Sequence, residues 1–377
     1  MQPAFFRPLR RKGRRKRPGM RLGMLLLCPL VAAALAGCES LAYYAQAASG
    51  QLSLLGRRQP IEEVIEAPDT ADALKSQLRL VLELREFARD FLQLPLHGQY
   101  GDYADLQRDF VVWNVLAAPE LSLQEETWCF PLVGCVAYRG YFSEGAAREF
   151  AGQLVAQGFD THVTGVAAYS TLGWMRDPVL NTFVMLPEPR LADLIFHELA
   201  HQLLFIPGDT LFNESFASTL AREGVRRWLL ANGEPGQHAS YLEELVREND
   251  FLALLGRYRS ELQRLYQSGE SVTGKRHRKA LLIGELRDDY QRLESGWGVG
   301  PVYRTWMDGP INNAKLNGVA LYHQLVPPLQ RQLAEEDGDL ALFYRRCREL
   351  AELEIGARHR ALMPSRPGEA PAGAPGI

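Results

Sequence analysis

Cysteine is scarce in this chain, and long apolar runs are absent beyond its first forty residues. The five cysteines are Cys28, Cys38, Cys129, Cys135 and Cys347. None forms a CxxC pair, which removes a cysteine-based zinc site from consideration. No stretch after the N-terminus is long and apolar enough to span a bilayer. No internal repeat is evident. Residues 1–37 contain no acidic side chain at all, yet carry nine Lys or Arg. Removing those nine positive charges from the formal charge of −3 leaves −12 for the remainder, which is a poor balance for binding nucleic acid. At 46% hydrophobic and 23% charged residues the composition is that of a globular protein, and wholesale disorder is excluded.

The basic residues lie within 7–21, and an apolar run from Leu22 to Leu35 follows them, ending in Leu35-Ala36-Gly37-Cys38. A basic segment, a short apolar segment and small residues at its end make a secretory signal. The ending resembles a bacterial lipobox. That resemblance implies cleavage before Cys38, lipidation of its sulfur, and a protein anchored by lipid in the bacterial cell envelope on the periplasmic side. Glu39 in place of Asp points to the outer membrane. Export would put Cys129 and Cys135 in an oxidising compartment. They are either disulfide-bonded or two buried thiols, and Cys347 is the odd one left over.

The expected organisation is a signal over 1–37, a tether over 38–60, a single domain over 61–360 containing a helical hairpin at 241–296, and a disordered Ala/Pro/Gly-rich tail over 361–377. A helix is expected from Asp69 or Thr70 to about Leu94, stopped by Pro95. Cys135–Phe142, His162–Ser170 and Thr182–Leu186 read as strands. Ser143 reads as the cap of a helix over Glu144–Gln157 that Gly158 ends. Leu191–Phe205 reads as a helix between Pro187-Glu188-Pro189 and Pro207-Gly208, and a further helix runs from near Asn213 to Gly233. The class is α+β and rich in helix.

His197-Glu198-Leu199-Ala200-His201 falls on the first of these two helices. Residues i and i+4 share a helix face one turn apart, so both imidazoles can reach one ion. Glu198 then stands beside that ion, able to take a proton from water as a general base. HExxH arises by chance in a chain of this length with a probability on the order of one per cent, so a second signal is needed. A glycine and a third histidine at the metzincin spacing are missing, since those positions are Leu204 and Pro207. Asn213-Glu214-Ser215-Phe216-Ala217 opens the next helix and resembles the Asn-Glu-x-x-Ala ligand motif of gluzincin peptidases. The resemblance implies one zinc ion on His197, His201 and Glu214, with Asn213 orienting a ligand. Asp209, Glu223 and His238 are fallback ligands. Tyr322 is the first candidate for stabilising an oxyanion, followed by His323 and Tyr303.

Further segments carry a wider resemblance: Tyr138-Arg139-Gly140-Tyr141-Phe142, Ala168 to Trp174 with Asp177-Pro178, and Asn312-Asn313-Ala314 to Tyr322. Together with the two motifs they make the chain similar to the bacterial "Putative aminopeptidase" family of exported metallopeptidases. The resemblance implies a zincin-like catalytic core with a small sheet and an active-site helix. It also implies zinc-dependent hydrolysis that removes N-terminal residues from peptide substrates. No GxMEN-like segment, which large aminopeptidases use to hold a free amine, is present. A zinc endopeptidase, or an envelope scaffold with a vestigial metal site, remains open from the residues alone.

Overall fold

The computed structural model describes residues 41–130, 134–168, 170–171 and 175–363. The expected signal over 1–37, with Cys28, the proposed lipid site Cys38 and residues 364–377 of the expected tail lie outside the described residues. The chain divides into one compact unit that ends at Leu52 and a second from Ser53 onward. Helix α1 covers residues 41–55, within the segment expected to be a tether.

The order from there is β1 (Gln59–Pro60), α2 (Ile61–Glu66), α3 (Asp72–Asp90), β2 (Asp102–Ala104), β3 (Val112–Pro119), β4 (Trp128–Phe130), β5 (Gly134–Val136), β6 (Arg139–Tyr141), α4 (Glu144–Ala156), β7 (Phe159–Val166) and β8 (Val179–Leu180). Helices fill the rest: α5 (Glu188–Leu203), α6 (Thr210–Asn232), α7 (Gln237–Gln267), α8 (Val272–Gly296), α9 (Arg304–Asp308), α10 (Asn313–His323), α11 (Val326–Glu335), α12 (Leu340–Ala351) and α13 (Ile355–Leu362). The class is α+β, rich in helix, and the described residues form three small sheets ordered β1-β2-β8, β6-β3-β7 and β4-β5. No helix among the described residues is long and apolar enough to cross a membrane.

Several boundaries differ from expectation for physical reasons. The strand expected over Cys135–Phe142 is two strands, β5 and β6, in different sheets. Thr182–Leu186 is a run of turns: the amides of Phe183 and Val184 bond the carbonyl of Leu180, and that of Leu186 bonds Phe183. Phe183 and Val184 are almost fully buried in the main core, so packing overrides the strand propensity of this apolar segment. It therefore offers no extended edge to a substrate. Ser143 does cap α4, accepting from the amide of Ala146.

The main core surrounds α5. Leu191, Ala192, Ile195, Phe196, Leu199 and Ala200 have no exposed surface, and α3 and α6 pack on this helix. Gly224 of α6 lets the two helices approach closely, since a Cβ there would stand 2.7 Å from the ring of Phe196. Helices α7 and α8 pack on each other around their own apolar cluster, which includes Phe251, Leu255, Leu262, Leu282, Leu286 and Tyr290. Asn312 caps α10 by accepting from the amide of Lys315. The fully buried Asn313 amide donates to the carbonyls of Pro119, Glu120 and Ser122, and its oxygen accepts from Tyr266 of the hairpin. One side chain thus joins the loop after β3, α7 and the start of α10, and fixes the direction in which α10 runs toward α6.

Candidate metal centre

Helix α5 begins after Pro187, with Pro189 in its first turn, where a missing amide proton costs nothing. The carboxylate of Glu188 accepts from Trp228 Nε1 at 2.7 Å, which ties the start of α5 to α6. The helix carries His197 and His201 one turn apart and ends at Leu203, where Leu204 turns extended. The chain reverses at Ile206–Asp209, with Gly208 in the left-handed region at φ +84°. Asp209 then caps α6 by accepting from the amide of Phe212. Asn213 does not orient a ligand. Its oxygen accepts from the Ile206 amide and its nitrogen donates to the Ile206 carbonyl, both at 2.8 Å, so it clamps the turn that joins the two helices.

This reversal delivers Glu214 to the histidines. Its Oε2 lies 3.2 Å from His197 Nε2 and 3.7 Å from His201 Nε2. One donor atom from each of His197, His201 and Glu214 lies within 4.8 Å of the others, the one such group among the described residues. The electrostatics suit a cation. Burial opposes charging His197, but the hydrogen bond and charge of Glu214, with Glu198 and Asp193, outweigh it and raise the imidazole to about 9. Burial likewise opposes ionising Glu214, but both histidines overcome it and hold the carboxyl at about 2. Donors that stabilise a proton this strongly provide the charge and the nitrogen and oxygen atoms that a divalent zinc ion uses. Three such side chains on a four-coordinate ion would leave one position open, the arrangement that catalytic zinc sites use.

Glu198 sits between the two histidines in sequence and makes no hydrogen bond or ion pair among the described residues. Burial raises its pKa, against the pull of His197 and His201. Tyr322, near the end of α10, brings its ring centroid to 6.4 Å from that of His197. The negative charge of Glu214, followed by burial, keeps its phenol protonated well above the usual range.

The remaining candidates lie elsewhere or are otherwise engaged. Asp209 binds Arg358 and His359 of α13. Glu223 is held by Arg226 and Arg227. His238 lies in α7, away from the cluster. His323 contacts Arg222 and Glu248. Tyr303 stacks on Phe251 at 4.1 Å inside the hairpin core. Cys129 and Cys135 face each other across β4 and β5 and are joined by a disulfide, while Cys347 is a buried free thiol. Gly134, the first residue of β5, leaves no room for a Cβ, which would meet the Gly208 nitrogen at 2.8 Å, so the hairpin backs the reversal between α5 and α6.

Two neighbours of the site were not among the candidate site residues. Tyr100 is buried, and Glu198 and Asp177 add to that burial in pushing its phenol far up. Asp177 accepts from the Thr171 amide at 2.9 Å and from Ser170 Oγ, which in turn accepts from Gln202 of α5. This chain of bonds ends one residue after His201. Asp177-Pro178 stands out in the sequence, but its connection to α5 depends on contacts across some twenty-five residues (Asp177 to Gln202) that no local pattern encodes.

No curated protein and no solved structure matches the chain. Its sequence does match one family model, described as "Putative aminopeptidase", across residues 42–362, and over that span, from α1 through α5 and α6 to α13, the chain belongs to this family.

Proposed function

We propose that the protein is a zinc-dependent peptidase that removes N-terminal residues from peptides, held at the bacterial cell envelope by a lipid on Cys38. The observation that carries the hydrolytic reading is the convergence of His197, His201 and Glu214 within 4.8 Å, with Glu198 on the same helix beside them. The family description favours the aminopeptidase over the endopeptidase. The lipobox and the basic segment before it support the anchor, and export would place the domain on the periplasmic side, at the outer membrane by the residue after Cys38. The charge of −12 after the expected signal argues against a nucleic-acid substrate.

In this reading His197, His201 and Glu214 would hold the ion. Bound zinc supplies Lewis acidity toward water and toward the scissile carbonyl. Glu198 takes the proton from the attacking water and returns it to the leaving amine. The Tyr322 hydroxyl, kept protonated, donates to the carbonyl oxygen as negative charge develops there. The disulfide, the Asn213 clamp and the Asp209 cap keep the reversal between α5 and α6 rigid, and with it the position of Glu214.

The test is metal content and cleavage together. One zinc per chain is expected, sharply weakened by Glu214→Ala. Glu198→Gln should keep the zinc and lose hydrolysis. Peptides with a free N-terminus should be cut and their N-acetylated forms spared, whereas equal cleavage of both would make the protein an endopeptidase. A chain that takes up no zinc would leave a scaffold at the envelope as the better account. Loss of lipid labelling in Cys38→Ala would test the anchor.

A further inference from the structure

Asp193 lies one helical turn before His197 on α5, about 6 Å along the axis. It is half-buried, and it has no hydrogen bond or ion pair among the described residues. The charges around it are matched elsewhere. Arg190, one turn earlier on the same face, pairs with Glu244 of α7 at 3.2 Å. Arg222 of α6 pairs with Glu248 of α7 at 3.0 Å. Burial, despite Glu248, brings His323 down to about 4, so it stays neutral. One carboxylate is left over.

A second, independent group faces the same place. Tyr241 of α7 is 96% buried, being 4% exposed, and its hydroxyl has no partner. Residues 241, 244 and 248 share one face of α7, as residues 190, 193 and 197 share one face of α5. The Arg190–Glu244 pair sets these two faces toward each other. After burial, the charge of Asp193 is the largest influence on the Tyr241 phenol, ahead of Arg222, Glu248 and Arg190. A buried hydroxyl without a partner is costly, and a half-buried carboxylate without one stands beside it; a ligand that completes both accounts for the pair.

We propose that Asp193, together with the Tyr241 hydroxyl, binds the protonated α-amine of the substrate and makes the site specific for free N-termini. The inference rests on the metallopeptidase reading above and supplies the amine anchor for which the sequence has no GxMEN-like segment. Its geometry agrees with exopeptidase cleavage. The amine nitrogen lies two bonds, about 2.5 Å, from the carbonyl carbon of its own residue. A carboxylate one turn from a metal ligand is therefore within reach of the amine when that carbonyl is at the metal, and an internal residue has no such charge to offer. An ammonium brings three donors, which the carboxylate and the phenol oxygen accept.

The test compares alanine hydroxamate with propionohydroxamate, which differ only by the amine, binding by calorimetry to the full chain purified in detergent and loaded with zinc. The wild type should prefer alanine hydroxamate by about 10- to 100-fold, the worth of a charge-assisted hydrogen bond. Asp193→Asn should erase the preference with zinc content and propionohydroxamate affinity unchanged, and Tyr241→Phe should reduce it. Equal binding of both probes by the wild type, or a preference that survives in Asp193→Asn, overturns the anchor and leaves the metal site standing. Loss of zinc from Asp193→Asn also overturns it, since Asp193 would then be positioning His197. Binding of neither probe by zinc-loaded protein would remove the metallopeptidase reading, and the anchor with it.

Discussion

Arg358, in the last helix, donates to the carboxylate of Asp209, in the turn between the two helices that carry the site. Both side chains are almost wholly buried, and Arg358 also donates to the carbonyls of Leu350, Ala351 and Leu353. Arg358→Met leaves Asp209 as a buried charge with only His359 to balance it. Removing one partner of such a pair costs about 3–5 kcal/mol, read as a lower midpoint in urea unfolding. Because Asp209 caps α6 one turn before Glu214, zinc affinity should fall as well. Asp209→Asn in the same chain should restore much of the stability.

A contrast between two glycines tests how tightly α5 and α6 pack. A methyl at Gly224 would meet Phe196 at 2.7 Å and Leu92 at 2.8 Å, both fully buried and unable to yield. Gly224→Ala should destabilise by about 1–3 kcal/mol through overpacking, despite alanine's better helix propensity. At Gly284 of α8 nothing lies within 4 Å, and Gly284→Ala should stabilise by up to about 1 kcal/mol. Thermal unfolding of the two variants gives shifts of opposite sign if the helix contact is as close as described.

The parts of this structure that were legible in the sequence are those set by local chemistry. Proline and glycine bracket α5, the HExxH spacing puts two imidazoles on one face, and a Ser caps α4. The parts that were not legible depend on contacts distant along the chain. Asp209 reads as a possible ligand until Arg358 takes its charge, 149 residues away. Asn213 reads as a partner of the ligands, whereas its short side chain reaches only back to Ile206. Strand β3 is the centre of its sheet, yet its residues 112 and 114–118 are all buried, so it lacks the alternation that marks a half-exposed strand. Asp193 looks like one more charge on a helix, and only the pairing of its neighbours shows that it is unmatched.

The acid range offers a check on Asp177. Burial raises its carboxyl from 3.8 to about 6, although the Thr171 amide and Ser170 pull the other way. The folded chain therefore holds a proton that the unfolded chain has released between those two values. Stability contributed by this group is present below about pH 4 and is lost as pH rises through 6, by about 1.4 kcal/mol for each unit in that window. Asp177→Asn should flatten that part of the stability profile and raise stability at pH 7 relative to the parent. Unfolding midpoints measured between pH 4 and 7 decide it, and an unchanged profile would mean the carboxylate is better compensated than its surroundings indicate.

Tyr322 separates stabilisation of the reaction from stabilisation of the site. It makes no hydrogen bond among the described residues, and its ring stands beside His197 without joining the group of three ligands. Phenylalanine there keeps the ring packing against the small apolar cluster of Leu116, Ala137, Ala314 and Leu321 and removes only the hydroxyl. Zinc content and folding stability should be unchanged in Tyr322→Phe. If the hydroxyl meets the developing oxyanion, kcat should fall by about 100- to 1,000-fold with little change in KM, the size of effect seen when one such donor is lost. A fall in zinc affinity instead would show that the phenol supports Glu214. A KM effect alone would place it among the groups that bind substrate and its transition state equally.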